Sequence, residues 1–328
     1  MEYLIDYLVF AAKLATVVAL VAAPLVIALA VRQGRAGAGG RAVNIEVDKL
    51  NDALDDVRHR LEDAMLPAKA LRKLRKAERA AHKAAARDGT ARPRSFVCHF
   101  DGDLRASAVS ELREAVTAVL AVATADDELI VVLESGGGTI HGYGLAASQL
   151  ARVRERGVRL RVVVDRIAAS GGYMMACVGD EVLAAPFAII GSIGVVAQLP
   201  NFHRLLKKHD VDFEQVTAGE FKRTLTLFGE NTDADRAKFQ QEIEDAHALF
   251  KDFVARFRPA LDLPRVATGE WWFGTRALEL GLIDGLATSD DVIVAAAREH
   301  DVFEVRVRRK RTLLERLLGE HTALWRAS

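Results

Sequence analysis

Features that mark several common enzyme and binding-protein classes are scarce or missing in this sequence. There are only two cysteines, Cys98 and Cys177, too few for a disulfide framework, and no Cys/His group has structural-zinc spacing. An HExxH motif, a GxxxxGK[ST] loop and a GxGxxG turn opening a helix after the first strand are all absent, which argues against a metalloprotease and a nucleotide-binding protein. Lys+Arg and Asp+Glu both total 45, so a nucleic-acid binder is a poor default. We therefore expect no metal, no cofactor and no nucleic-acid partner.

The composition nevertheless predicts a folded protein. Half of the 328 residues are apolar and 6% are aromatic, so the chain can bury a core rich in Ala, Val and Leu. Bulk disorder is excluded by the same numbers. The length predicts one or two domains.

Apolar residues are densest near the amino end. Residues 7–31 carry a single charge, Lys13, and residues 14–31 carry none. That length matches the ~18–20 residues that a helix needs to cross the hydrocarbon core of a bilayer. Pro24 would kink such a helix without preventing it. We predict an uncleaved, single-pass transmembrane anchor, with the lipid bilayer as a partner.

A cleaved signal peptide is the alternative for this segment. Glu2 and Asp6 precede the apolar run, where a signal peptide has basic residues, and the run exceeds the usual length of about 7–15 residues. The small residues at 36–38 leave cleavage open. Arg32 and Arg35 follow the run, and the positive-inside rule then favours a cytoplasmic position for the rest of the chain.

Two charged, periodic segments come next. Apolar residues recur every three or four positions over 47–65, which predicts an amphipathic helix that Pro67 interrupts. Residues 69–87 contain eight Lys/Arg and one acid, Glu78. We expect a solvated linker helix there, with attraction to anionic lipid headgroups as the alternative.

From residue 96 onward, apolar strands alternate with helices. Unbroken Val/Ile/Leu runs separated by helical segments are typical of a parallel sheet covered on both faces, so the fold class is α/β. The predicted strands are 96–100, 128–133, 160–164, 182–185 and 213–216. The predicted helices are 106–122, 143–156, 171–178, 202–209 and 233–257.

Three glycine-rich turns, at 134–138, 168–172 and 191–194, are the first candidate site. Sites in parallel sheets form at the carboxyl ends of the strands, where a glycine turn exposes N–H groups that suit an anion or an oxyanion. Each turn is equally well explained by the glycine that any tight turn needs.

Ser170 lies in the second of these turns, at the predicted start of a helix. The position suits a nucleophile, whose developing charge the helix N-terminus stabilises, and it suits a simple N-cap as well. No histidine has an obvious triad setting, so the base would be a lysine whose pKa is lowered by desolvation. Lys222 is the candidate, and Arg223 beside it is the competitor. The histidines considered are His99, His141, His203 and His209.

Longer motifs carry a family resemblance. The stretch AASGGYMMACVGDEVLAAPFAIIGSIGVVAQLPNF, together with TAGEFKRTLTLFGENTD and ATGEWWFGTRALELGLIDGL, resembles the signal peptide peptidase A family (S49) of membrane serine proteases. The likeness covers residues 96–290. It implies a β-β-α superhelix similar to that of Clp protease and the crotonases. It also implies hydrolysis of peptide bonds in signal peptides or other membrane-associated polypeptides.

The resemblance implies a serine–lysine dyad. The nucleophile falls on Ser170, in A-S-G-G-Y, and the general base falls on Lys222, in G-E-F-K-R. Ser192, in G-S-I-G-V, matches the serine that orients the lysine amine. The oxyanion hole would use the N–H of Gly171 and that of Gly137 or Gly138. No cofactor or metal is implied.

The first glycine turn departs from the family pattern. The family usually has S-P-G-G where this chain has S-G-G-G at 135–138. Proline would fix φ, so we expect Gly136 to loosen the turn.

Assembly and location also follow from the resemblance. Relatives form ring- or dome-shaped homo-oligomers, some with active sites built from neighbouring subunits, in the bacterial inner membrane. Relatives place the catalytic domain outside the cytoplasm, opposite to what the local charges favour. The predicted domains are an anchor, 1–34, a charged helical linker, 35–92, a catalytic domain, 93–300, and a basic amphipathic tail, 301–328. The alternatives are an inactive membrane scaffold or adaptor and a crotonase-like acyl-thioester enzyme.

Overall fold

The computed structural model describes Lys13 and residues 44–88, 92–219 and 221–308 of the chain. Residues 45–308 form one compact unit. Apart from Lys13, the predicted transmembrane anchor lies outside the described residues, as do residues 309–328 of the predicted tail. Within the described ranges, no helix combines the length and the apolar character that crossing a bilayer requires. The division into four domains stays a prediction.

Strands and helices alternate through most of the described chain. The strands are β1 (Asn44–Lys49), β2 (Arg94–Gly102), β3 (Glu128–Ser135), β4 (Arg159–Val164), β5 (Ile167–Ala169), β6 (Glu181–Ala184), β7 (Ile189–Gly191), β8 (Trp271–Phe273), β9 (Gly285–Leu286) and β10 (Asp301–Arg308). The helices are α1 (Leu50–Met65), α2 (Ala68–Asp88), α3 (Val109–Val122), α4 (Ile140–Glu155), α5 (Gly171–Ala176), α6 (His203–Lys208), α7 (Asp233–Phe257), α8 (Leu263–Val266), α9 (Gly274–Glu279) and α10 (Ser289–Glu299).

The strands join in one ten-stranded sheet. Its main path runs β1-β10-β2-β3-β4-β6-β9, and the pairs from β10 to β9 are parallel. Short β5 leaves this path to pair in parallel with the end of β3 and with β7, and β8 pairs antiparallel with β7. The carboxyl ends of β3, β5 and β7 therefore lie side by side, and each is followed by one of the three glycine turns.

The central strands are buried on both faces, which explains their unbroken apolar sequence. On one face, side chains such as Val131 and Val162 pack against α3, α4 and α5. On the other face, Ile130 and Val163 pack with Val292 of α10. Burying one such side chain fully contributes about 1.5–3 kcal/mol. The core thus holds the strands, and with them the turns at their ends, in a fixed arrangement.

Most of the predicted elements are confirmed, and the fold class is α/β as predicted. The helix predicted at 233–257 is α7, whose start is set by a capping box between Thr232 and Asp235. The linker helices are α1 and α2, separated at Pro67 as expected. The amphipathic helix begins at Leu50 rather than at residue 47, because residues 44–49 form β1 beside β10.

Two further predictions are wrong in detail. Residues 213–216 form no strand: Val216 is 96% exposed, and no described strand pairs with this segment. The basic residues that were expected to open a tail belong in part to β10. There Arg306 pairs with Glu304 and Asp48, so neighbouring acids neutralise its charge within the fold.

Asp127 ties the start of β2 to the turn before β3. Its carboxylate, 3% exposed, accepts hydrogen bonds from the backbone N–H of Arg94 at 2.9 Å, the Arg94 guanidinium at 2.6 Å and the backbone N–H of Thr124 at 2.7 Å. Burial disfavours the charged form, but these hydrogen bonds outweigh it and hold the pKa of Asp127 well below its usual value. The pKa of Asp127 in the folded protein therefore lies below its value of ~3.9 in the unfolded chain. The ionised carboxylate stabilises the fold fully at pH values above ~3.9, and this contribution is lost as the pH falls from there toward the folded-state pKa.

We predict that Asp127→Asn lowers the free energy of unfolding by about 1–3 kcal/mol at pH 7, because buried donors lose their charged acceptor. The difference from the unaltered protein should shrink between pH 4 and pH 3, where the carboxylate of Asp127 loses part of its advantage. Urea unfolding at pH 7 and pH 3 measures both effects. Asp126→Asn, at the exposed neighbouring position, is the control. Equal losses at both pH values would contradict the assigned pKa shift.

Candidate active site

Ser170 has an unusual backbone conformation at the junction of β5 and α5. Its φ is 52° and its ψ is −118°, a combination that non-glycine residues rarely adopt. The Ser170 N–H donates to the carbonyl of Gly191 at 2.8 Å, and its own carbonyl accepts from Met174 N–H at 3.0 Å. Its side chain makes no capping hydrogen bond. The simple N-cap is therefore not observed, and the hydroxyl is held on a sharp strand-to-helix turn.

The glycine turn after β3 lies directly against this serine. Gly137 has φ +88°, and a Cβ added there would lie 2.8 Å from the Ala169 carbonyl oxygen, from the Gly171 nitrogen and from the Ser170 Cβ. Only a residue without a side chain permits this approach. The first two glycine turns thus form one site, as the order of the strands requires.

The two candidate donors in the first turn differ in their hydrogen bonding. The Gly137 N–H donates to the Ser135 Oγ at 3.0 Å, so an internal partner already occupies it. No hydrogen bond to another described residue engages the N–H of Gly138. Gly171 provides the first N–H of α5, next to Ser170. The geometry favours Gly138 with Gly171 over Gly137 with Gly171 as an oxyanion-binding pair.

Ser192 occupies the third turn, beyond β7. Its φ is 53°, and its N–H donates to the carbonyl of Glu270 at 2.7 Å. Its Oγ lies 3.4 Å from the carbonyl oxygen of Gly269, a long contact that leaves the hydroxyl available to another partner. Since Ala169 pairs with Gly191, Ser192 follows directly on the strand beside Ser170.

Lys222 lines a cavity that includes no residue of these three turns. It lies in the irregular segment between α6 and α7, its side chain is exposed, and it lines this cavity, of about 700 Å³, with residues such as Val216 and Phe228. No described hydrogen bond links its Nζ to Ser170 or Ser192. Arg223 is also exposed and lines the same cavity, so burial does not distinguish the two.

Other nucleophiles fit the structure less well. Burial raises the pKa of Cys98 and of Cys177 to about 12, which keeps both as unreactive thiols. Ser95 contacts both a histidine and a carboxylate, a combination that the sequence does not reveal. Its Oγ lies 2.7 Å from Glu128 Oε1 and 2.7 Å from His300 Nδ1. Ser95 is fully buried and lies at the amino ends of the strands, so no substrate reaches it. That cluster is structural.

Comparison with known proteins identifies the family. Residues 2–150 match the model "Peptidase family S49 N-terminal" and residues 152–303 match "Peptidase family S49". The chain belongs to peptidase family S49. Over 227 residues it is 54% identical to "Probable protease SohB" of Buchnera aphidicola subsp. Acyrthosiphon pisum, covering 69% of this chain and 68% of that protein. Over 221 residues it is 55% identical to "Probable protease SohB" of Haemophilus influenzae, covering 67% of this chain and 63% of that one.

Membership of family S49 confirms the resemblance and the expected enzyme class, a peptidase, and a serine peptidase is consistent with it. The two family models together span both sides of the glycine turns, from β2 to β10. The second match ends within β10, at residue 303. The roles of Ser170, Lys222, Ser192 and the glycines stay predictions for this S49 chain.

Adjacent glycines in the first turn give a sharp test of the site. We predict that Gly137→Ala reduces peptidase activity by about 100-fold or more, because the new Cβ pushes the turn away from Ser170 and disturbs a preorganised donor. Gly136→Ala should keep activity within about twofold and raise the free energy of unfolding by about 0.4–1 kcal/mol. Gly136 has no positive φ, and its Cβ would meet only the Ile167 Cδ1, at 3.7 Å.

Steady-state hydrolysis of a fluorogenic peptide and urea unfolding of both variants provide the comparison. Equal losses of activity in the two variants would mean that the turn as a whole, and not its contact with Ser170, controls activity.

Proposed function

We propose that this chain is a membrane-anchored serine endopeptidase that uses Ser170 as the nucleophile and Lys222 as the general base. The observation that carries the proposal is the strained turn of Ser170 at the start of α5, in contact with the turn of Gly137. Backbone N–H groups in these neighbouring turns would suit the tetrahedral oxyanion that forms when such a hydroxyl attacks a carbonyl.

The proposed reaction is an acyl transfer. The neutral amine of Lys222 takes the proton of Ser170, whose oxygen attacks the carbonyl carbon of the substrate. The N–H groups of Gly138 and Gly171 hold the oxyanion. The intermediate collapses as Lys222 returns the proton to the leaving amine, and a water molecule then hydrolyses the acyl-enzyme, with Lys222 as base. The hydroxyl of Ser192 orients the amine of Lys222.

The exposure of Lys222 leads us to propose that a neighbouring copy completes the site. A lysine works as a base only where water is excluded from it. In residues 196–228, the segment that includes Lys222, ten large apolar side chains are exposed, and extensive exposed apolar surface marks an interaction site. We infer that a second copy covers this segment and that Lys222 serves the Ser170 of that copy. The exposed side chains are Val196, Leu199, Phe202, Leu205, Val211, Phe213, Val216, Phe221, Leu227 and Phe228.

We propose extended, apolar polypeptides as substrates, such as signal peptides or other membrane-associated segments. Beside the turn of Ser192, the short strand β8 pairs with β7 on one side, and Trp271 and Phe273 on it are about half exposed. Phe187, 82% exposed, packs edge-on against Phe273. An extended peptide added to such an edge gains backbone hydrogen bonds and apolar contacts. The apolar run 7–31 would keep the enzyme at the bilayer, where such segments are concentrated.

Single substitutions in the full chain test the dyad. We predict that Ser170→Ala and Lys222→Ala each reduce hydrolysis of a fluorogenic peptide by about 1,000-fold or more, as expected when a member of a catalytic unit is removed. Arg223→Ala is the matched control, since a guanidinium does not act as a base at neutral pH, and it should keep activity within a few fold. Activity in Ser170→Ala, or its loss in Arg223→Ala alone, would overturn the assignment.

A serine-reactive phosphonate probe separates the proposal from its alternatives. We expect covalent labelling of the unaltered protein at Ser170 and none in Ser170→Ala. An inactive scaffold, or an enzyme that processes thioesters without a serine nucleophile, would show no labelling in either protein.

Mixed assemblies test whether the site is shared between copies. Ser170→Ala keeps Lys222, and Lys222→Ala keeps Ser170. If each site takes one residue from each of two neighbours, co-expression at equal levels should restore about one site in four. The two variants occupy the positions of a closed assembly at random, so about a quarter of the sites combine an intact Ser170 with an intact Lys222. If both residues come from one chain, the mixture should remain as inactive as its components.

A further inference from the structure

A buried chain of hydroxyl groups lies beneath the glycine turn. The Gly137 N–H donates to the Ser135 Oγ at 3.0 Å, the Ser135 Oγ lies 2.5 Å from the Tyr143 hydroxyl, and the Tyr143 hydroxyl donates to the Asp103 carbonyl at 2.7 Å. Because the Tyr143 hydroxyl donates its proton to the Asp103 carbonyl, the Ser135 hydroxyl donates to the Tyr143 oxygen and accepts from the Gly137 N–H. A longer contact, 3.4 Å, joins the Ser135 Oγ to the Gly102 carbonyl.

Both hydroxyl-bearing residues are sealed from solvent. Ser135 is 2% exposed and Tyr143 is fully buried. Burial raises the pKa of Tyr143, so its hydroxyl stays protonated and able to donate over the working pH range. A buried network in which each member is satisfied fixes the geometry of its neighbours more firmly than a solvated one.

Tyr143 also supports the other side of the predicted oxyanion hole. A Cβ on Gly171 would overlap the ring of Tyr143, so the backbone of Gly171 rests directly on that ring. One side chain therefore contacts Gly171 through its ring and holds the turn of Gly137 through its hydroxyl and Ser135. The two N–H groups that must point at one oxyanion share a single buried support.

We propose that Ser135 and Tyr143 are positioning residues for the oxyanion hole: they engage the N–H of Gly137 and so turn the next N–H, that of Gly138, toward the position opposite Gly171. This inference rests on the proposed function. It also accounts for a turn that functions with Gly136 in place of a proline, since the hydroxyl chain supplies the rigidity that the proline ring would give.

Substitutions in the full chain test the positioning role. Ser135→Ala should lower kcat by about 10- to 100-fold and Tyr143→Phe by about 10-fold, each with KM within about twofold, because oxyanion stabilisation acts in the transition state. The effect of Tyr143→Phe is smaller because Ser135 can then donate to Gly102. The double variant should lose no more than about the larger single loss, since both residues act through one chain of bonds.

Tyr173→Phe is the matched control. Tyr173 is also fully buried, and its hydroxyl donates to a backbone carbonyl, that of Leu282, at 2.9 Å, away from the glycine turn. Each Tyr→Phe variant removes a buried hydroxyl that donates to a backbone carbonyl, and Tyr143→Phe also removes the oxygen that accepts from Ser135. Both thermal unfolding temperatures should therefore fall, while only Tyr143→Phe loses kcat. Equal kcat in the two variants would overturn the inference.

A readout independent of turnover uses a peptide aldehyde. The serine oxygen adds to the aldehyde carbon to give a hemiacetal whose oxygen lies in the oxyanion hole. The inhibition constant should rise in Ser135→Ala and Tyr143→Phe in proportion to the fall in kcat/KM, and should not change in Tyr173→Phe. An unchanged inhibition constant in Ser135→Ala and Tyr143→Phe would also overturn the inference that these residues position the oxyanion hole.

Amide hydrogen exchange distinguishes failure of this inference from failure of the proposed function. The Gly137 N–H should be protected in the unaltered protein, and its protection should fall by about 10-fold or more in Ser135→Ala. If Ser170→Ala stays active, the proposed function is wrong. The exchange rate of the Gly137 N–H still shows in that case whether Ser135 holds this N–H in a hydrogen bond. If Ser170→Ala is inactive and Gly137 exchanges freely in the unaltered protein, only the positioning role is wrong.

Discussion

The close approach of the Gly137 backbone to residues 169–171 is the constraint on which the rest of the structure depends. It exists because β3 and β5 are adjacent at their carboxyl ends, where Ser135 pairs with Ala168. Any side chain at Gly137 would strike three atoms at once. A parallel sheet buried on both faces is well suited to hold such a contact, because neither strand can shift without opening the core.

The strain at Ser170 is sustained by the same arrangement. A non-glycine residue in this conformation costs about 1–3 kcal/mol and persists only where its surroundings over-determine it. Here the N–H and the carbonyl of Ser170 are fixed by Gly191 and Met174. Since the fold meets this cost before any substrate arrives, little reorganisation remains for the reaction itself. The buried hydroxyls of Ser135 and Tyr143 are proposed to hold the turn of Gly137 in a fixed conformation in the same way.

The sequence predicts the long elements and the family, and it fails where the signal is short or non-local. Strands β3 and β4 are evident because two covered faces give them the apolar runs 129–133 and 162–164. Strands β5, β7 and β8 have three residues each, too few for a periodic pattern. Residues 213–216 include Phe213 and Val216, residue types that are common in strands, but they pair with no described strand. Tyr143 carried no signal of its own, because its role depends on Ser135 and Gly171 meeting in space.

The rigid turn of Ser170, the proposed nucleophile, and the exposure of Lys222, the proposed base, lead to a proposal for how activity is controlled. In one chain, the turn of Ser170 and its neighbouring N–H groups are already formed, whereas Lys222 lies on an exposed, apolar segment. A protease whose nucleophile is ready but whose base is solvated is inactive until something excludes water from that base. If a second copy does so, the apolar surface that drives association also switches on catalysis. Association and activity would then depend on the same side chains, and unassembled chains would not cleave other polypeptides.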